Sequence, residues 1–172
     1  MKRLLSIAIA MIMVLAMSSS AFAAAKVTSN SAAQKIALKN AKLSKSQVKS
    51  IRVKYDSEDG DYDVKFIKKS NGSKYDFEIR KSNGRIFEKS IDYKYKRSTS
   101  RKKVGTATAQ KTAAKKAGVK LSVVKNGRCK YEYDDGEGIY EVSFKKGKYK
   151  YDIDIQAPTG KVIDYSWEYT GR

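Results

Sequence analysis

The sequence predicts an α+β fold made of two tandem copies of an N-terminal helix packed on an antiparallel three- to four-stranded β-meander. Three observations carry that expectation. The chain matches itself at an offset of 76 residues, so that Ala33-Gln34-Lys35 recurs as Ala109-Gln110-Lys111 and Tyr75-Asp76-Phe77-Glu78-Ile79 as Tyr151-Asp152-Ile153-Asp154-Ile155. Within each copy the apolar period changes from 3.6 to two, the change from helix to half-buried strand. Turn dipeptides such as Asn71-Gly72 and Asn83-Gly84 separate the period-two runs, as hairpins require.

The chain starts with Lys2 and Arg3, an apolar run from Leu4 to Met17 and a small-residue stretch ending in Ala21-Phe22-Ala23. This is the layout of a secretory signal peptide, residues 1–23, with cleavage after Ala23 or as late as Ala25. The apolar run is shorter than the roughly 18 residues a membrane-spanning helix needs. The expectation is therefore a secreted or extracellular protein, free or associated with the cell envelope, with no transmembrane segment after cleavage.

The first copy, residues 31–96, opens with a helix. Ser31 followed by Gln34 has capping-box spacing, and Ala33, Ile36, Ala37 and Ala41 share one face. Strands follow through Ile51-Val53-Tyr55, Tyr62-Val64-Phe66 and Tyr75-Phe77-Ile79, and a fourth runs from Ile86 toward Tyr93. Residues 97–106, rich in Arg, Lys, Ser and Thr, read as a basic linker. The second copy, residues 107–172, repeats the alanine stripe as Ala109, Ala113, Ala114 and Ala117, with Gly118 placed to end the helix. Between the helix and the third strand the offset becomes 78, and Tyr62-Asp63-Val64-Lys65-Phe66 lies over Tyr140-Glu141-Val142-Ser143-Phe144. Pro158-Thr159-Gly160 supplies the last turn.

Composition removes several chemistries. With no histidine there is no Ser-His-Asp or Cys-His nucleophile and no HExxH zinc site, and a lone cysteine cannot build a thiolate zinc centre. Cys129 cannot form an internal disulfide either; strand alternation lets it face inward as a small apolar side chain, the alternative being an intermolecular bridge. Ser46-Gln47-Val48-Lys49 and Ser122-Val123-Val124-Lys125 match S-x-x-K, but no S-D-N or K-T-G partner accompanies them. The acidic clusters 56–61 and 134–137 suggest calcium. They lack the glycine and bidentate glutamate positions of an EF-hand and read as solvated hairpin tips. No catalytic, cofactor-binding or metal residue is assigned, and the chain is expected not to be an enzyme.

Tyr93-Lys94-Tyr95-Lys96-Arg97 and Lys148-Tyr149-Lys150-Tyr151 interleave aromatic and basic groups, a nucleic-acid pattern that strand alternation explains without a ligand. Trp167 aligns with Ile91, which favours a core or rim position for its ring over a ligand platform. The formal net charge is +19, and +17 once Lys2 and Arg3 are removed. Such an excess attracts anions over long range, which outside a cell means wall polymers, phospholipid headgroups or an acidic protein.

The order of motifs resembles the PepSY domain over nearly the whole mature chain, twice. In the second copy the carrying residues are Ala113 and Ala117, Asp134-Asp135-Gly136, Tyr140-Glu141-Val142-Ser143-Phe144, Tyr149-Lys150-Tyr151-Asp152-Ile153-Asp154 and Thr159-Gly160-Lys161-Val162-Ile163. The first copy departs at Ser57-Glu58-Asp59-Gly60 and at Asn83, which stands in the place of the threonine. PepSY domains also occur in the propeptides of thermolysin-like secreted metallopeptidases, where they look like inhibitors and folding aids. The resemblance thus implies a non-catalytic binding protein that inhibits or modulates a secreted or envelope peptidase, with a secreted metallopeptidase among the candidate partners. The charge supports an alternative, a structural or adaptor module held on an anionic wall polymer or membrane surface.

Overall fold

The computed structural model describes residues 26–134 and 136–171, with Asp134 described in its backbone alone. The proposed signal peptide and its cleavage site lie outside the described residues. The first half contains helix α1 (Asn30–Ala41), a 3-10 turn (Lys45–Gln47) and strands β1 (Val48–Asp56), β2 (Asp61–Lys68), β3 (Lys74–Arg80) and β4 (Ile86–Asp92). The second contains α2 (Thr106–Ala117), a short α3 (Leu121–Lys125), and β5 (Arg128–Asp134), β6 (Glu137–Lys146), β7 (Tyr149–Gln156) and β8 (Lys161–Tyr169).

The expectation of two tandem helix-plus-meander copies is overturned by the sheet. All eight strands form one antiparallel sheet in the order β1-β2-β3-β4-β8-β7-β6-β5. The join is the β4–β8 ladder, in which Glu88 pairs with Glu168, Lys89 with Trp167, Ser90 with Ser166, Ile91 with Tyr165 and Asp92 with Asp164. The physical reason is the cost of open edges. A separate first meander would leave the backbone groups of β4 unpaired, a template for wrong partners, and pairing with β8 satisfies them internally.

One face of this sheet is buried. Val64, Phe66, Phe77 and Ile79 in the first half, and Val142, Ile153 and Ile155 in the second, are almost wholly removed from solvent. Phe66 stacks on Tyr75 with ring centroids 5.2 Å apart, and Phe144 on Tyr151 at 5.0 Å, each a cross-strand aromatic pair. The helices approach through alanines, Ala33 and Ala37 on α1 and Ala109 and Ala113 on α2, all 0% exposed. α1 packs chiefly on β1 and β2, α2 on β5 to β8. Truncating a fully buried ring such as Phe77 to alanine costs about 3–5 kcal/mol in a core of this kind.

The helix start differs from the expected capping box. α1 begins at Asn30, so Ser31 lies inside the first turn; the cap is Ser29, whose Oγ accepts from the Ala32 N–H at 3.2 Å. A capping box does form one element later, where the Ser44 N–H donates to Gln47 Oε1 at 2.8 Å. Both long helices end in a left-handed residue, Gly118 after α2 (φ 66°) and Lys42 after α1 (φ 55°). In the hairpins, Gly84 and Gly160 take the positive φ that Asn83-Gly84 and Pro158-Thr159-Gly160 lead one to expect.

Candidate functional site

Since successive strand residues point to opposite faces, burying the apolar set on one side sends its neighbours to the other. Among the described residues no helix packs on that second face, and the strand register assembles its side chains into three rows. One row runs Asp63, Glu78, Glu88, Glu168, Lys150 from β2 through β3, β4 and β8 to β7. The next runs Lys65, Asp76, Ser90, Ser166, Asp152. The third runs Lys74, Asp92, Asp164, Asp154, Glu141, ending on β6. A chain with a large positive excess thus presents carboxylates across the middle of one sheet face. To these three rows its two central strands contribute only acidic residues and serines.

Like charges directly opposite one another are unfavourable, and here most of them, Glu78, Glu88, Asp154 and Asp164 included, are half-buried as well. Burial pushes the Glu78 carboxyl up to about 7, with the charges of Glu88, Asp76, Asp63 and Asp61 adding to the effect. Asp154 is pushed up to about 6 by burial and then by Asp164, Glu141, Asp152 and Glu132. Glu88 is raised by burial and Glu168, and Asp164 by burial and Asp92. Cations enter at the flanks: Lys65 bridges Asp63 and Asp76, Lys74 meets Asp92 at 3.0 Å, and Lys150 meets Asp152 at 3.0 Å. The face is therefore a partly protonated acidic surface. Its charge deepens as pH rises through 6 and 7.

The tips beside this face are not simply solvated, as the sequence suggested. Asp61 is 8% exposed and held up by burial, with Arg80 Nε 3.7 Å away. Glu137 is 3% exposed. Its Oε2 accepts from Tyr95 Oη at 3.0 Å and Arg97 Nε at 3.1 Å, and its Oε1 from Gln156 Nε2 at 3.0 Å. Burial opposes its ionisation, but hydrogen bonds from Gln156, Arg97, Tyr95 and the Ser98 backbone outweigh that and hold the carboxyl below its ordinary range. Gln156 Nε2 also donates to the Lys96 carbonyl at 2.9 Å, and Val104 N–H to the Ala157 carbonyl at 2.8 Å. Residues 93–105 hold no regular element, yet they are strapped along the second half by these contacts. Sequence reasoning missed Glu137 because Asp134-Asp135-Gly136-Glu137 reads as a turn. It missed the acidic rows because they exist only after strands distant in sequence are aligned.

The other residues singled out by sequence have ordinary surroundings. Ser46 Oγ shares a hydrogen bond with Ser44 Oγ at 2.8 Å rather than with Lys49, while Ser122 and Lys125 are exposed around a short α3 that buries Val124. Asp56 Oδ1 accepts from the Glu58 N–H at 3.0 Å within its own turn, and among the described residues no cluster of acidic side chains is arranged to hold a metal ion. Tyr95 binds Glu137, Tyr151 stacks on Phe144, and Tyr149 meets Trp167 edge-on with centroids 5.4 Å apart. Trp167 is half-buried at the β4–β8 join. Cys129 is half-buried on β5 at the sheet's end, and burial raises its thiol.

No family model matches the chain, and no curated protein matches it. Among solved structures it is similar to the Bacillus megaterium YpeB C-terminal domain, at 11% identity and a TM-score of 0.48, over 85% of this chain and 65% of that one. It therefore spans just under two thirds of that neighbour's length. It is also similar to a cysteine-rich secretory protein from Staphylococcus aureus subsp. aureus Mu50, at 14% identity and a TM-score of 0.35, over 86% of this chain and 48% of that one. A DUF2874 family protein from Bacteroides uniformis ATCC 8492 matches at 15% identity and a TM-score of 0.28, over 76% of this chain and 84% of that one. At these scores the likenesses assign no activity, partner or location. Among the described residues no helix is long and apolar enough to cross a membrane.

Proposed function

We propose that this chain is a secreted, PepSY-like, non-catalytic binding protein that receives a protein partner on the uncovered face of its sheet and so modulates a secreted or envelope peptidase. The observation that carries the docking surface is the set of rows through Glu78, Glu88 and Glu168 and through Asp92, Asp164 and Asp154, continuous across the join of the two halves. The peptidase rests on the resemblance to PepSY propeptide domains. The test is hydrolysis by a panel of peptidases from the native secretome, with the purified protein at micromolar concentration. Slowing of at least one metallopeptidase supports the reading, and unchanged rates across the panel reject it. A folded E88K/E168K variant that inhibits as well as the parent places the docking surface elsewhere.

A second reading is favoured by where the positive charge lies. Lys35 and Lys111 on the outer sides of α1 and α2, with Arg101, Lys102 and Lys103 on the strap, are exposed away from the acidic face. We infer that these groups hold the protein on an anionic wall polymer or membrane surface. Retention on isolated cell walls should then fall steeply as salt rises. Salt-independent retention removes this reading.

A further inference from the structure

Two amines stand on the buried side of the sheet where α1 and α2 leave its centre between them. Lys89 projects from β4 in the row of Phe77 and Trp167. Its Nζ donates to Asn40 Oδ1, in the last turn of α1, at 2.9 Å and lies 5.3 Å from the centroid of the Phe77 ring. Lys116 comes from the last turn of α2. Its Nζ donates to the Tyr93 hydroxyl and lies over the rings of Tyr93 and Tyr165, 4.7 Å and 4.6 Å from their centroids. Among the described residues the contacts of both amines are amide, phenol and ring, with no carboxylate among them. Burial lowers the Lys89 amine to about 8, the Lys116 charge adding to it, and burial also lowers Lys116.

Two neighbouring cations, both half-buried and neither neutralised, are costly unless something anionic joins them. We propose that Lys89 and Lys116, with the hydroxyl of Tyr93 and the amide of Asn40 beside them, form a binding site for a phosphate-class oxyanion in the seam between the two helices. The donor set selects the class. A planar carboxylate is matched best by the fork of an arginine, whereas two ammonium groups arriving from separate elements act as point charges, suited to a tetrahedral anion with acceptors in several directions. The rings of Phe77, Tyr93 and Tyr165 wall the site and reduce local screening, so each charge acts more strongly than at the open surface. The site is on the opposite side of the sheet from the acidic rows. It does not depend on the peptidase reading.

The chain carries its own reporter, because its single tryptophan, Trp167, pairs with Lys89 across the β4–β8 ladder. Inorganic phosphate is titrated into the purified protein at constant ionic strength, balanced with sodium chloride, while Trp167 fluorescence and the ε-methylene signals of Lys89 and Lys116 are followed. The expected result is a saturable change in all three, with affinity falling about tenfold or more in K89M and in K116M and unchanged in K125M, at the exposed end of α3. Parallel titrations with acetate test the class, and titrations with an oligomer of glycerol phosphate separate free phosphate from a polymer's phosphodiesters. Tighter binding of the oligomer identifies a polymer as the source, and tighter binding of inorganic phosphate identifies the free ion. No saturable change in the wild-type protein, equal response to acetate, or full affinity in both lysine variants overturns the proposal. Should a variant fail to fold, the wild-type lysine signals still decide it.

Discussion

Glu78 on β3 stands directly opposite Glu88 on β4, and Glu88 in turn stands opposite Glu168 on β8, three carboxylates in line across the middle of the sheet. The line makes Glu78 a pH-dependent cost to the fold. Below pH 4.5, the ordinary range of the group, it is protonated folded or unfolded and costs nothing. Above that the unfolded chain ionises first, the native state lags until about 7, and stability is lost over that window.

E78Q should therefore raise the melting temperature at pH 8 and leave it nearly unchanged at pH 4.5. The side chain is only half-buried, so solvent limits the gain to about 1 kcal/mol. Equal shifts at the two pH values would show that the row does not act through charge.

E137A should release the strap. It removes a buried carboxylate that Tyr95, Arg97 and Gln156 all address, a loss of about 3 kcal/mol. Trypsin should then cut at Arg97, Arg101, Lys102 or Lys103 well before it attacks the strands. Since the folded carboxyl is depressed, its contribution is full above pH 4.5 and is lost as pH falls through its folded value. Unchanged cleavage of the strap would mean that it is held by other contacts.

Lys42 and Gly118 end their helices in the same left-handed conformation, and only the glycine adopts it without strain. K42G should stabilise the protein by about 0.5–1 kcal/mol, and G118A should destabilise it by about 1 kcal/mol. Chemical denaturation with unchanged m-values would check both. A loss on K42G would show that the Lys42 side chain contributes more than its backbone costs.

Residues 26–96 expressed alone should not remain monomeric. The fragment exposes β4, whose partner β8 is the strand at the matching offset, so β4 can pair antiparallel with its own copy and remake the central ladder. Sedimentation at micromolar concentration should give a dimer, and I91K should abolish it. A stable folded monomer would count against this account of the join.

The strands were legible in the sequence because their information is local. Tyr62-Val64-Phe66 and Tyr75-Phe77-Ile79 alternate, and an Asn-Gly pair sits at the turn between them. The helix stripes were legible for the same reason, since Ala109 and Ala113 recur at helical spacing. Nothing local says that Ile91 will face Tyr165, because that contact joins strands more than seventy residues apart and is settled by which edge most needs covering. The acidic rows inherit that difficulty. Glu88 reads as a solvated side chain on its own strand, and only with Glu78 and Glu168 aligned beside it does it become part of a surface. Glu137 was hidden for a different reason. Of its partners, Arg97 opens the stretch that composition marks as a basic linker and Tyr95 lies just before it, and a turn-like acidic run gives no hint that one member turns inward.

Val27, close to the start of the described chain, is 2% exposed, and its N–H donates to the Lys81 carbonyl at 2.8 Å. It occupies for the first half the place that Val104, bonded to Ala157, occupies for the second. That contact sets a limit on trimming from the amino end, because Val27 seals the hydrophobic interior under α1. Trimming past it would leave the first half unsealed while the second kept its plug, so the protein would age from its amino end.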